Sequence, residues 1–286
     1  MCAIWSSTWL VIKEGLQDLP PFTAVATRFT VAAIIFTAIA PILARREGGE
    51  APGIGLTLAQ GFFNFAGSYG IVYWGETILP SGLASVLFAT FPMMVAILGH
   101  FFLPAERLDL RQGAGFLLGF CGVVFLFAED LDAIGDDALM AGSIFLLAPL
   151  LSSIGQVVVK AKGERVSSAL LNRNGMVVGA LILWSVALGL ESPGAVEWTL
   201  RGVASVAYLA LFGTVIAFGL YFWLLRSGSA NGLSLVAYVL PVAALALGTL
   251  VADEPFTPTL AGGTALVLAG CALAAKKRRP KPAAAS

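Results

Sequence analysis

The chain has 286 residues, 58% of them hydrophobic and 12% charged, with 17 basic and 17 acidic side chains and a formal net charge of zero. A soluble domain carries about 25% charged residues, so this composition, with a mean hydropathy of +0.88, excludes an ordinary soluble enzyme, and the balanced charge offers no basic surface to nucleic acid. A membrane crossing takes roughly 20 apolar residues; ten would use about 200 and leave short connections, too short for a folded extramembrane module.

Apolar runs bounded by charge, proline or glycine predict ten such spans. The first, 1–19, is crowded by Lys13, Glu14, Gln17 and Asp18. It starts almost inside the helix, as expected of a chain with residues upstream, and it lacks the basic start of a cleavable signal peptide. The second, 21–44, follows Leu19-Pro20 and contains Arg28. In the third, 54–79, Asn64 and Ser68 stand at i, i+4 and Tyr69, Tyr73 and Glu76 at i, i+4, i+7, so each set shares a face. The fourth, 82–103, has Pro92 in its middle and His100 near its end. Gly113, Gly115, Gly119 and Gly122 run along the fifth, 112–128, a pattern suited to close helix contact. Ser152, Gln156 and Lys160 form a stripe in the sixth, 138–160. The seventh is 167–190, and the eighth, 202–225, closes on Tyr221-Phe222-Trp223. Ser234, Tyr238 and Pro241 mark the ninth, 231–251. The tenth, 259–275, runs into Lys276-Lys277-Arg278-Arg279 and a tail that reads as disordered.

With the C-terminus inside, alternate connections gather Arg45, Arg46, Arg107, Arg111, Lys160, Lys162, Arg165, Arg226 and the basic tail on one side; Arg201 is the clear basic exception on the other. Lys/Arg bias orients membrane proteins, so an even number of spans places both termini in the cytoplasm.

Shifting the chain by about 149 residues overlays Tyr73-Trp74 on Phe222-Trp223, Ser85 on Ser234, Pro92 on Pro241 and Gly113 on Gly262; Lys13 pairs with Lys160 at a slightly smaller offset. The expected organisation is therefore all-α: ten transmembrane helices as two five-helix repeats, 1–128 and 138–275, followed by the basic cytoplasmic tail 276–286. Five is odd, so the second repeat enters the membrane from the opposite side. Inverted repeats of this kind place a transporter's substrate site at the repeat interface near the midplane.

Several stretches carry a family resemblance: Trp5-Ser6-Ser7, Leu19-Pro20-Pro21-Phe22 with Arg28, Val72-Tyr73-Trp74, the run from Ser81 through Pro92 to Glu106, Leu220-Tyr221-Phe222-Trp223, Ala230 to Pro241, and Asp253-Glu254-Pro255. In their order and spacing the two halves resemble the paired EamA-type repeats of the drug/metabolite transporter superfamily, over essentially the whole chain. The resemblance implies ten helices, cytoplasmic termini and transport of small metabolites, often outward. Ser6 departs from the glycine common after the tryptophan.

Polar groups in hydrocarbon are costly and face the bundle interior. This predicts a cavity lined by Trp5, Ser7, Asn64, Tyr73, Trp74, Gln156, Tyr221, Trp223 and Tyr238, whose aromatic walls and few amides suit an amphipathic solute. The competing reading treats the serines and amides as bonds between helices and Tyr73, Trp74 and Trp223 as an aromatic belt. Glu76 is the candidate proton-coupling carboxylate, with a solvated carboxylate at a helix end as the alternative. Arg28 either snorkels outward along its stem or pairs with Glu76 or Glu14 in gating. Pro92 and Pro241 are hinges or static bends.

Cys2, Cys121 and Cys271 lack metal-ligand spacing, and the sole histidine, His100, has no cluster around it, so no metal or cofactor is expected. The sequence has no GxxxxGK[ST] for a primary pump and no reactive constellation for an intramembrane enzyme. The expected function is a secondary transporter in the cytoplasmic (inner) membrane. It would move a small organic metabolite, an amino acid or related amphipathic solute, outward by alternating access, with membrane lipid and a coupling proton as partners. A non-transporting membrane scaffold or assembly factor is the alternative.

Overall fold

The computed structural model describes residues 2–79, 81–126, 136–240, 242 and 258–275, and the regular elements among them are helices. The predicted first span is a shorter helix, α1 (Cys2–Gly15), because the chain turns at Gly15 and leaves Asp18 and Leu19 in a connection. α2 (Pro21–Glu47) opens with a proline in its first turn, where the missing N–H costs nothing. It ends at Gly48, whose φ of +66° is open to glycine at little cost.

The third predicted span is three consecutive segments: α3 (Ile54–Ala59), a π-helical segment (Gln60–Gly67) and α4 (Ser68–Ile78). The fourth is broken into α5 (Ser81–Phe88) and α6 (Phe91–Phe102) by a turn at Ala89 and Thr90. Pro92 lies in the first turn of α6. Its ring would clash with the carbonyl of Phe88 in a continuous helix, so Pro92 starts a new helix here and is not a kink inside one. Pro149 does the same between α8 (Asp136–Phe145) and α9 (Leu147–Lys162), which part at Leu146. Among the described residues, the remaining α- and π-helical elements are α7 (Leu110–Leu126), α10 (Ser168–Leu190), α11 (Leu200–Tyr208), a second π-helical segment (Leu209–Ile216), α12 (Ala217–Ser227), α13 (Ala230–Ser234) and α14 (Pro258–Ala275).

Among the described residues, five helical stretches are long and apolar enough to cross a membrane: Pro21–Glu47, Leu83–Phe102, Met140–Lys162, Ser168–Leu190 and Leu200–Ser227. Leu110–Phe125, Ala230–Leu240 and Ala261–Ala274 are apolar but shorter.

The 149-residue offset reappears as structure. The π-helical segments begin at Gln60 and Leu209 and end at Gly67 and Ile216, and α4 and α12 run from Ser68 to Ile78 and from Ala217 to Ser227. Hydrogen bonds repeat as well. Glu197 N donates to Asp18 O at 3.0 Å, and Glu50 N donates to Arg165 O at 2.8 Å. Lys13 Nζ donates to the carbonyls of Glu76 and Leu79 at the end of α4, at 2.6 and 3.2 Å. Lys160 Nζ likewise donates to those of Leu225 and Arg226 at the end of α12, at 3.1 and 3.2 Å.

α2 and α10 cap each other. Glu191, just past the end of α10, accepts from the backbone N–H of Phe22 and Thr23 and from Thr23 Oγ1, at 2.6, 2.7 and 2.7 Å. Glu47, ending α2, accepts from Ser167 Oγ, from Ser168 Oγ at 2.7 Å and from Ala169 N at 3.0 Å. A carboxylate on the free N–H groups of a helix start is favourable both as a hydrogen bond and toward the helix dipole. Each helix end therefore satisfies the other's start, which fixes the pair as antiparallel. To one side, α7 and α14 cross with almost no side chain between them. A Cβ added at Gly270 would lie 2.3 Å from Gly119 N, one at Gly115 2.5 Å from Ala274 N, and one at Gly122 2.7 Å from Val267 N. Gly113, at the start of the same stripe, meets nothing within 4 Å.

Candidate functional site

Elements of both halves meet around a narrow cavity of about 80 Å³. Helix α1 contributes Trp5, Thr8, Trp9 and Ile12, whose i, i+4 spacing puts the two indoles on one face. The first π-helical segment and α4 contribute Asn64, Tyr69 and Val72; the break between α5 and α6 is flanked by Phe88 and Phe91. From the second half come Ser152 and Gln156 on α9, Phe218, Tyr221 and Phe222 on α12, and Ser234 with Leu233, Val236, Ala237 and Leu240. Water needs roughly 10–15 Å³ on this measure, so the cavity admits several waters or a small solute.

The aromatic wall is continuous. Trp5 packs edge-on against Phe218 and tilted against Tyr221, both with centroids 5.3 Å apart, and Tyr69 meets Phe218 at 5.8 Å. Its polar groups are held from behind. Gln156 Nε2 donates to Ala230 O at 2.7 Å while Tyr221 OH donates to Gln156 Oε1. Asn64 Nδ2 donates to Gln60 Oε1 at 2.8 Å, and Gln60 Nε2 donates to Asn172 Oδ1 at 3.3 Å. Ser152 Oγ donates to Ser68 Oγ at 2.7 Å. Two amides with fixed orientation thus stand in an otherwise apolar, aromatic box, the composition that grips an apolar body and reads one polar head.

Four of the predicted lining residues, Trp5, Asn64, Gln156 and Tyr221, are at this cavity. The structure does not bring the other five to it. Ser7 Oγ bonds Tyr208 OH at 2.7 Å. Tyr73 is buried and accepts from Arg28. Trp74 is half-buried against the core. Trp223 is 52% exposed on the outer surface. Tyr238 is buried in a separate apolar cluster, its OH donating to Phe116 O at 2.8 Å. Trp9, Phe88, Phe91, Phe218 and Phe222 were not predicted; the i, i+4 spacing of Trp5–Trp9 and of Phe218–Phe222 is the signal that would have found the indole and the α12 pair.

Arg28 does not snorkel. It is 1% exposed, with Nε donating to Thr214 Oγ1 at 2.8 Å. Glu76 is 0% exposed; Ser81 Oγ lies 3.5 Å from Oε2, and Oε1 has no hydrogen-bond partner among the described residues. It is therefore not a solvated carboxylate at a helix end. Pro241 lies outside the described residues. His100 Nδ1 accepts from Leu108 N at 3.1 Å, and Glu106 caps the start of α13 by accepting from Ser229 Oγ, Ala230 N and Asn231 N at 2.7–2.8 Å.

The sequence profile of the EamA-like transporter family matches residues 1–128 and, a second time, residues 139–275. The chain belongs to the EamA-like transporter family. Relatives are similar over most of their length. "Uncharacterized transporter YoaV" of Bacillus subtilis (strain 168) is 27% identical over 93% of this chain and 91% of its own. An "Uncharacterized transporter" of Archaeoglobus fulgidus is 26% identical over 96% and 95%. "Uncharacterized inner membrane transporter YedA" of Escherichia coli (strain K12) is 29% identical over 86% and 78%. A solved crystal structure superposes with a TM-score of 0.76 at 22% identity, covering 96% of this EamA-like chain and 94% of its own; it has the same fold.

Proposed function

We propose that this EamA-like protein is a secondary transporter of the cytoplasmic membrane that moves a small organic solute, an amino acid or related amphipathic metabolite, outward through the cavity between its halves. The observation that carries the reading is that equivalent elements of the two repeats, each with its π-helical segment, converge on one cavity with an aromatic wall and two oriented amides. The ten predicted helices then form two inverted five-helix repeats, 1–128 and 138–275, and alternating access exchanges the two repeats' conformations about the site. In support, Lys13 closes the end of α4 and Lys160 the end of α12, equivalent positions that inversion places at opposite membrane faces. Arg165, Arg226 and Glu47 gather at one end of the molecule, while Asp18, Glu191 and Arg201 gather at the other. Arg201 is the basic exception to the orientation bias, and Asp18 neutralises it, which favours cytoplasmic termini and a cytoplasmic basic tail 276–286.

Trp5, Asn64, Gln156 and Tyr221 bind the solute in this reading. Glu76 carries the coupling proton, and the Pro92 break is the hinge. The test is flux of a radiolabelled metabolite panel in proteoliposomes, with and without a pH gradient. Saturable flux of one solute class, reduced at least about tenfold (about 1.4 kcal/mol) in Asn64→Ala and Gln156→Ala but retained in Trp223→Ala, is the expected outcome. Glu76→Gln should abolish the pH-gradient dependence; unchanged dependence removes Glu76 from coupling. Folded, inserted protein without flux across the panel favours the scaffold reading.

A further inference from the structure

Arg28 is buried, and among the described residues it has no ionic partner. Among the described residues no carboxylate oxygen lies within 4.0 Å of it; the ion pairs are Asp18–Arg201 and Glu47–Arg226. Its bond to Thr214 is short, but those to Tyr73 OH and Gly213 O are long, at 3.3 and 3.4 Å. A guanidinium has five N–H donors, so two remain to be used. The groups packed around it do not balance the charge. Glu76 on α4 is a carboxylate whose charge reaches Arg28, but it is shared with Lys13 of α1, and Glu14 is engaged with Gln17 on the exposed end of α1. Among the described residues, Glu76 thus faces both Lys13 and Arg28. Buried charges are costly unless paired, and one that persists inside a membrane protein marks a place where a ligand or ion completes it.

The position of the charge says which ligand. The Arg28 guanidinium lies 4.9 Å over the ring of Tyr69, and Tyr69 forms the cavity wall together with Trp5 and Phe218. Arg28 Nη2 and Trp5 Nε1 donate to the same carbonyl, Gly213 O. The cation therefore stands one aromatic ring behind the cavity. Packing of the repeat does not require it. At the 147-residue offset that relates Lys13 to Lys160, the residue equivalent to Arg28 is Gly175, and the space at Gly175 is filled by the neutral Gln60, 2.5 Å from where a Cβ would stand.

We infer that Arg28 is the specificity-determining residue of the cavity and that it selects solutes with an anionic head, small carboxylates with an apolar body, over their neutral isosteres. The inference rests on the transporter reading, and its test is separable from it. Full-length protein in lipid nanodiscs is titrated with two matched pairs, phenylacetate and phenylacetamide, 4-methylpentanoate and 4-methylpentanamide, with binding read calorimetrically. Wild-type protein should bind each carboxylate about tenfold or more tightly than its amide. Arg28→Gln should erase that preference, and Arg28→Lys, which keeps the charge, should retain part of it. The wild-type comparison stands even where Arg28→Gln fails to fold. Equal binding of acid and amide, or preference for the amide, overturns the role of Arg28 and leaves the cavity as a solute site. Absence of binding by both pairs in folded protein also overturns it, and the flux measurement then decides alone whether the cavity carries any solute.

Discussion

Gly155 and Asn64 meet so closely that a Cβ added at Gly155 would lie 2.3 Å from Asn64 Nδ2 and 2.6 Å from Cγ. Gly155→Ala should therefore displace the Asn64 amide from the cavity and cost about 1–3 kcal/mol of stability. Adding Asn64→Ala in the double variant should return much of that loss in a thermal unfolding series. At the edge of the molecule, the Arg201 guanidinium and Thr199 hydroxyl hold the Asp18 carboxyl down to about 2 from an ordinary 3.8. A lowered folded-state value means the stabilisation is fully present above about pH 4 and is lost as pH falls toward 2. The melting temperature of wild type should accordingly exceed that of Asp18→Asn at pH 5 and converge with it near pH 2. At this scale the sequence exposes residue type better than direction. Trp5, Asn64, Gln156 and Tyr221 stand out in apolar runs and are at the cavity. Trp223 stands out equally but follows Tyr221 by two residues, about 200° around an α-helix, so both cannot face one cavity. Ser234 and Tyr238 have i, i+4 spacing, yet the turn at Leu235 separates their directions.

The reciprocal caps of α2 and α10 work at the scale of elements. Glu47→Gln and Glu191→Gln each replace an anion that accepts three hydrogen bonds at a helix start. Each should cost about 1–2 kcal/mol, read as a lower midpoint in denaturant-induced unfolding in detergent. The two losses should add less than independently, because both loosen one helix pair. In the sequence these glutamates look like loop charges, since the N–H groups they serve belong to the other helix, more than a hundred residues away. Helix breaks were partly legible. Pro92 is visible as a disruption, but its result, a turn two residues earlier and a fresh helix start, depends on where the Phe88 carbonyl must go.

For the whole molecule, the repeat was legible as a 149-residue offset because elements, π-helical segments included, keep their spacing in both halves. What the sequence hid was which surfaces face each other. Of the four glycines along α7, Gly115, Gly119 and Gly122 meet α14, while Gly113 stands free. Gly270→Ala would press a methyl onto the backbone of Gly119, which has no side chain to yield. It should destabilise by about 1–3 kcal/mol or more, whereas Gly113→Ala should be neutral or slightly stabilising; a pair of melting curves distinguishes them.

The two π-helical segments set angular phase. Each spreads its turn over more residues than an α-helix does, so the face shown at one end of the composite helix is turned relative to the face shown at the other. Deleting a single residue between Gln60 and Gly67 would leave a chain able to wind as a regular helix, yet its seven residues at about 100° each would not reproduce the slower turn of the original eight, and Ser68–Ile78 would shift in phase against α3 by roughly a few tens of degrees. Tyr69 would leave the cavity wall and the capped end of α4 would turn away from Lys13. Shortening Leu209–Ile216 in the same way would swing Tyr221 off Gln156. The chain keeps an irregular winding in both halves because that winding lets a helix be locked at its end by one set of partners while it presents an independently chosen face to the centre.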